Sequence, residues 1–222
     1  MVWVIPEYNG NTNLPSRLEM LKQNFTGISV VIDVFEGGKN PNPNVILEIE
    51  DLEKIMNVTD VKAIRFPEVI SWYMGKNQTC LSNETIAWIH RMFDFALDKN
   101  LRIYWSEWKL GTDIEGIAKE TLAGYEDKIT YLYQTNNPWE IPLIGNCYAH
   151  EFPHWGASVQ SWYKVHPNDT EERDDLDIDI VSEYAKIARN MGAETIQFEP
   201  YRYFFNNSSE PMETMEKMWE LI

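Results

Sequence analysis

An α/β fold of alternating strands and helices is what this chain of 222 residues predicts. Three observations carry that expectation. Short runs of β-branched and aromatic residues recur and stop at glutamate: Glu7 closes VWVIPEY, Glu36 closes SVVIDVFE, Glu68 closes VKAIRFPE, Glu107 closes LRIYWSE and Glu199 closes TIQFE. Segments with apolar residues at helical spacing lie between most of them. No linker, internal repeat or low-complexity tract divides the chain, whose length suits one domain with a large core.

The elements follow in order. After VWVIPEY come a Pro/Asn-rich loop and a short helix around Arg17 to Gln23. A second strand, Gly27 to Phe35, leads through Gly37-Gly38 to an amphipathic helix from about Val45 to Met56. Val61 to Val69 is the third strand, followed by a long loop and a helix near Asn83 to Lys99. Ser82 or Asn83 is its N-cap, and Ile86, Ile89, Phe93 and Leu97 share its apolar face. The fourth strand, Leu101 to Trp108, precedes a helix from about Asp113 to Tyr125, and the fifth, Ile129 to Gln134, runs into Thr135-Asn136-Asn137-Pro138-Trp139. Leu143 to Tyr148 is expected as the sixth, ending in His150-Glu151, and Ala157 to Tyr163 as the seventh. An acidic loop, a helix from Asp177 to Met191 stopped by Gly192, an eighth strand from Thr195 to Tyr201 and a closing helix from Met212 to Ile222 complete the chain. Eight strands in this alternation are the count of a compact (β/α)8 TIM barrel, a single domain over 1–222 with short or missing helices after strand six. No glycine-rich phosphate loop follows the first strand, so a doubly wound nucleotide fold is disfavoured and no cofactor is expected.

Charge narrows the partners. With 19 Lys+Arg against 35 Asp+Glu, the formal net charge is -16. That opposes nucleic acid and anionic membrane surfaces, and no run approaches the roughly 20 apolar residues that span a bilayer. Asn24, Asn57, Asn77, Asn83, Asn168, Asn206 and Asn207 all begin N-x-[ST] sequons. Chance would supply about two, so a secreted or cell-surface glycoprotein with N-linked glycans is expected, its signal peptide removed. Cys80 and Cys147 are the only cysteines; one disulfide and two free thiols are equally consistent with them.

Parallel strands alternating with helices gather their C-terminal ends on one face, where active sites are built. Carboxylates converging there suit glycoside hydrolysis, which needs one protonated acid and one ionised partner across the scissile bond. Strand alternation puts Glu107 on one face with Trp105 and Ile103, and Glu199 with Gln197 and Thr195. Both are expected to point into the barrel, Glu107 as general acid and Glu199 as its partner carboxylate; Glu68 and Glu151 are reserves. Burial beside Trp105 and Trp108 would raise the Glu107 pKa and keep it protonated. The 9 Trp and 11 Tyr supply plates for sugar faces: Trp72, Tyr73, Trp105, Trp108, Trp139, Trp155, Trp162 and Tyr201 fall at predicted strand ends. Gln134, Asn136, Gln160 and Arg202 are expected ligands of hydroxyl or carboxylate groups, with His150 and His154 on the same rim.

The pattern resembles a small glycoside hydrolase-type TIM barrel, with Trp105-Ser106-Glu107-Trp108 at strand four and Phe198-Glu199-Pro200-Tyr201-Arg202-Tyr203 at strand eight. In the large retaining clan of such enzymes the acid/base glutamate ends strand four after an asparagine, and the nucleophile glutamate ends strand seven. Glu107 matches the first position, although Ser106 precedes it; Gln160 stands where the resemblance implies a nucleophile. The expected function is therefore cleavage of a poly- or oligosaccharide by paired glutamates, with a catalytically silent, glycan-binding barrel as the alternative.

Two metal readings are weaker. His150-Glu151-Phe152-Pro153-His154 spells H-E-x-x-H, but zinc binding by that motif needs a helix that Pro153 would break. Asp33, His150 and His154 could serve a metal-dependent polysaccharide deacetylase, with a spacing much longer than that family's.

Overall fold

The computed structural model describes residues 2–4, 30–36, 45–74, 80–108, 112–135, 138–147, 151–160 and 178–199. The chain forms two compact units, Met1–Ile129 and Thr130–Ile222. In the first, four strands, β1 (Val2–Val4), β2 (Val30–Asp33), β5 (Val61–Pro67) and β6 (Arg102–Trp108), pair in parallel in that order. A short antiparallel pair, β3 (Phe35–Glu36) with β4 (Val45–Ile46), stands apart from them. Helix α1 (Ile49–Val58) follows β4, α2 (Val69–Met74) follows β5 after a single intervening residue, α3 (Asn83–Asp98) precedes β6, and α4 (Thr112–Thr121) follows it.

Each face of this sheet has its own chemistry. Phe66 of β5 and Trp105 of β6 stack with centroids 5.5 Å apart, and Phe66 meets Phe93 and Trp88 of α3 edge-on at 5.0 and 5.6 Å. Helix α3 begins where expected, with Ser82 Oγ accepting from the Thr85 amide at 3.1 Å. Its buried stripe is Trp88, Ile89, Met92, Phe93 and Ala96; Leu97, expected on that face, is exposed. On the opposite face of the sheet, the register sets Asp33, Arg65 and Tyr104 side by side, all buried. Arg65 donates from Nε and Nη2 to the two Asp33 oxygens, both at 2.6 Å, the bidentate geometry that best offsets the cost of burying two charges.

In the second unit β7 (Ile129–Thr135, beginning at the boundary), β8 (Trp155–Gln160) and β9 (Thr195–Glu199) pair in parallel in that order. The tight turn Pro138–Glu140 and helix α5 (Ile141–Cys147) follow β7, and α6 (Ile178–Asn190) precedes β9. Gly156 lies where the strands approach closely: a Cβ there would be 2.3 Å from the Thr195 carbonyl oxygen and 2.7 Å from Leu132 Cδ2. Gly192, at φ 90°, ends α6 as expected.

The closed (β/α)8 barrel does not form. The parallel strands make open sheets, four strands in the first unit and three in the second, and within neither unit do the outermost described strands pair. Leu143 to Tyr148, expected as strand six, falls largely in α5: Ile141, Ile144 and Gly145 are buried at helical spacing while Leu143 is 43% exposed. Pro142 fits because it occupies the first turn, whose amides have no partner within the helix. The resemblance to barrel glycoside hydrolases thus loses the architecture on which it rested. The expected helices at Arg17 to Gln23 and Met212 to Ile222 lie outside the described residues.

Two substitutions probe these contacts. Gly156→Ala is expected to destabilise the protein by about 1–3 kcal/mol or more, because backbone must move. Arg65→Met, which removes the bidentate partner of the buried Asp33 carboxylate, is expected to cost about 3–5 kcal/mol. Urea unfolding of each variant against the parent measures both.

Candidate active site

Strand β5 turns into α2 through one residue, Glu68, whose backbone adopts φ 54°. That left-handed conformation is uncommon for a residue with a side chain and is held by its surroundings. The Glu68 amide donates to the Ser106 carbonyl of β6 at 2.6 Å, and its carbonyl accepts from the Trp72 amide at 2.9 Å, the first bond of α2. The Glu68 side chain is half-buried at the C-terminal end of β5.

No Ser, Thr, Asp or Asn caps α2 from its own chain segment; a glutamate from the neighbouring strand does. Glu107, the sixth residue of β6, accepts from the Ile70 amide (2.7 Å), the Ser71 amide (3.1 Å) and the Ser71 hydroxyl (2.7 Å). It lies on the face of β6 that carries Trp105, so its carboxylate turns toward the helix layer rather than toward a barrel interior. The side chain is 0% exposed. Loss of hydration pushes its pKa up from 4.5 to about 7; the bonds from Ser71 Oγ and the two amides oppose the rise, and the nearby Glu68 charge adds to it.

In the second unit Glu140 is buried five residues beyond the end of β7 and accepts a hydrogen bond from the Thr135 hydroxyl. Glu107 and Glu140 are thus buried glutamates near the C-terminal ends of parallel strands. Gln134, Ser158 and Gln197 form a buried polar row across β7, β8 and β9. Gln160 and Glu199 occupy paired positions two residues further on, but their side chains lie outside the described residues, as does that of Trp108.

The remaining candidates scatter. Trp105 is fully buried, its indole N–H without a hydrogen-bond partner, in the aromatic core with Phe66 and Phe93. Trp139 is half-buried in the turn after β7, its indole N–H likewise unpartnered. Because strand six is a helix, Glu151 lies on the approach to β8, at the N-terminal end of that strand. His154 sits there too, its Nδ1 paired with Glu194 at 2.5 Å, and Glu151–His154 is not helical. With both Asp33 oxygens held by Arg65, the deacetylase triad loses its free carboxylate. Asn136, His150, Trp162, Tyr201 and Arg202 lie outside the described residues.

Sequence reasoning passed over Ser71, Arg65 and Glu140. A base in VKAIRFP and an acid in VVIDVF, each flanked by apolar residues, is the signal that could have paired Arg65 with Asp33. No family model matches this chain, and no curated protein matches it significantly.

The Glu107 environment predicts how stability depends on pH. Between 4.5 and about 7 the native state binds more protons at this residue than the unfolded state does, so its contribution declines as pH rises through that window. Charging it in place costs on the order of 3 kcal/mol. Urea unfolding from pH 4.5 to 8 is expected to show this slope in the parent and to lose it in Glu107→Gln.

Proposed function

We propose that this protein acts on a poly- or oligosaccharide by acid/base chemistry at the C-terminal edge of the first unit, as a glycoside hydrolase-like enzyme. One observation carries the reading: a carboxyl held near pKa 7, Glu107, stands under the influence of a second carboxyl, Glu68, at the ends of two adjacent parallel strands. Glycoside cleavage uses a carboxyl kept protonated close to a second carboxyl. In this assignment Glu107 supplies the proton and Glu68 is the ionised partner.

Aromatic plates accompany the pair. Trp72 and Tyr73 follow Glu68 on α2, half-buried and edge-to-face at 4.8 Å, with Phe35 5.7 Å from Trp72. Their partly exposed rings suit the apolar faces of sugars. The net charge of -16 favours a neutral ligand over an anionic one. No described helix is long and apolar enough to cross a membrane. The sequon asparagines Asn57 and Asn83 are exposed, which supports N-glycosylation of an exported protein. The cysteines Cys80 and Cys147 are both free and exposed.

A panel of polysaccharides and aryl glycosides, assayed with the parent and with Glu68→Gln, Glu107→Gln and Glu199→Gln, tests the proposal. Turnover reduced roughly 100-fold or more by Glu107→Gln and by Glu68→Gln, with Glu199→Gln close to the parent, is the expected result. Glycan binding without turnover, lost in Trp72→Ala, would make this a sugar-binding protein instead. Absence of both binding and turnover across the panel rejects the carbohydrate reading.

A further inference from the structure

A buried acid can act on a ligand only if its proton has a way out. Glu107 is wholly enclosed, and its hydrogen-bond donors in this site are two backbone amides and one hydroxyl. Amide N–H groups donate but do not pass protons on. A hydroxyl both donates and accepts, so it alone among the three can receive a proton on one side while releasing one on the other. That hydroxyl, Ser71 Oγ, lies 2.7 Å from Glu107 Oε2, and Ser71 is half-buried where Glu107 is wholly enclosed.

We propose that Ser71 is the proton relay of this site, its hydroxyl linking the enclosed Glu107 carboxyl to the partly exposed start of α2. When Glu107 is protonated, the Ser71 hydroxyl rotates from donating to Oε2 to accepting from Oε2–H, its own hydrogen turned away. In the outward step the Oε2–H bond breaks as that proton binds Oγ. The proton already on Oγ leaves to the acceptor, a departing glycosidic oxygen or a water. The serine hydroxyl is regenerated, Glu107 is left as carboxylate, and no electrons change hands. Glu68 is the charged group that acts on Glu107, and its negative charge favours holding the proton until an acceptor arrives. The inference rests on the proposed acid role of Glu107, yet its proton traffic can be read with no sugar present.

The test follows the side-chain carboxyl carbon of Glu107 by NMR in ligand-free protein labelled at glutamate, assigned through Glu107→Gln, in the parent, Ser71→Ala and Ser71→Thr. Ser71→Ala is expected to raise the titration midpoint and to slow proton exchange about tenfold or more, as loss of an acid/base group does; Ser71→Thr restores both. A raised midpoint with unchanged exchange would show a cap that carries no proton and would overturn the relay. Should the alanine variant fail to fold, Ser71→Cys, which keeps a weaker donor and acceptor, is expected to give intermediate exchange, and parent-like exchange in it overturns the proposal equally. If the glycan panel is silent while exchange depends on Ser71, the carbohydrate reading falls and the relay stands. If sugars are cleaved, Ser71→Ala should lower kcat and move the basic limb of the pH profile upward.

Discussion

The Glu107 carboxylate binds the end of β6 to the start of α2, and the local arrangement of the first unit follows from it. Two amides that a helix start leaves open find their acceptor across 36 to 37 residues of chain. With α2 so anchored, β5 can turn into it through the single left-handed Glu68, and Trp72 and Tyr73 are carried to the strand ends. The arrangement is costly in its charged form. Each charge-assisted bond returns about 1.5–3 kcal/mol against an unmade one, yet burial still holds the acid protonated to near neutrality. A position selected for stability alone would take a serine or aspartate at the helix's own N-cap.

Both units keep polar groups on buried strand positions, of different kinds. In the first, a bidentate ion pair bridges β2 and β5, with Tyr104 in the next register position. In the second, Gln134, Ser158 and Gln197 occupy equivalent places across three strands without a formal charge. Neutral amides and hydroxyls avoid the desolvation cost of an ion pair and specify strand register less sharply; a guanidinium fork accepts one carboxylate geometry.

The strands were largely readable. Val61–Pro67, Arg102–Trp108 and Ile129–Thr135 fall within two residues of their expected limits, because runs such as AIRF and IYWS offer no helical alternative. Two local misreadings cost more. VISWYM lacks a capping residue, so it passed for loop; its cap is remote in sequence and therefore invisible to a local scan. IPLIGNC is short and apolar, and such runs suit strand and helix alike until packing chooses. The candidate site was legible as buried glutamate near strand ends but not in its direction. Glutamates at strand ends stand out, and alternation correctly set Glu107 beside Trp105, but it cannot say which face the helices cover. The alternating βα pattern likewise suggested closure that an open sheet does not require.

Arg65 also bears on how the chain can be cut. A shortened version beginning after β2 would retain the neighbouring strand's apolar residues and its guanidinium but lose the carboxylate that neutralises it. Such a fragment cannot simply leave that cation enclosed; water must enter the sheet face or the strand must swing outward. The smallest portion of the first unit able to fold by itself therefore includes Val30–Asp33, and any dissection of this protein into autonomous pieces has to begin upstream of that strand.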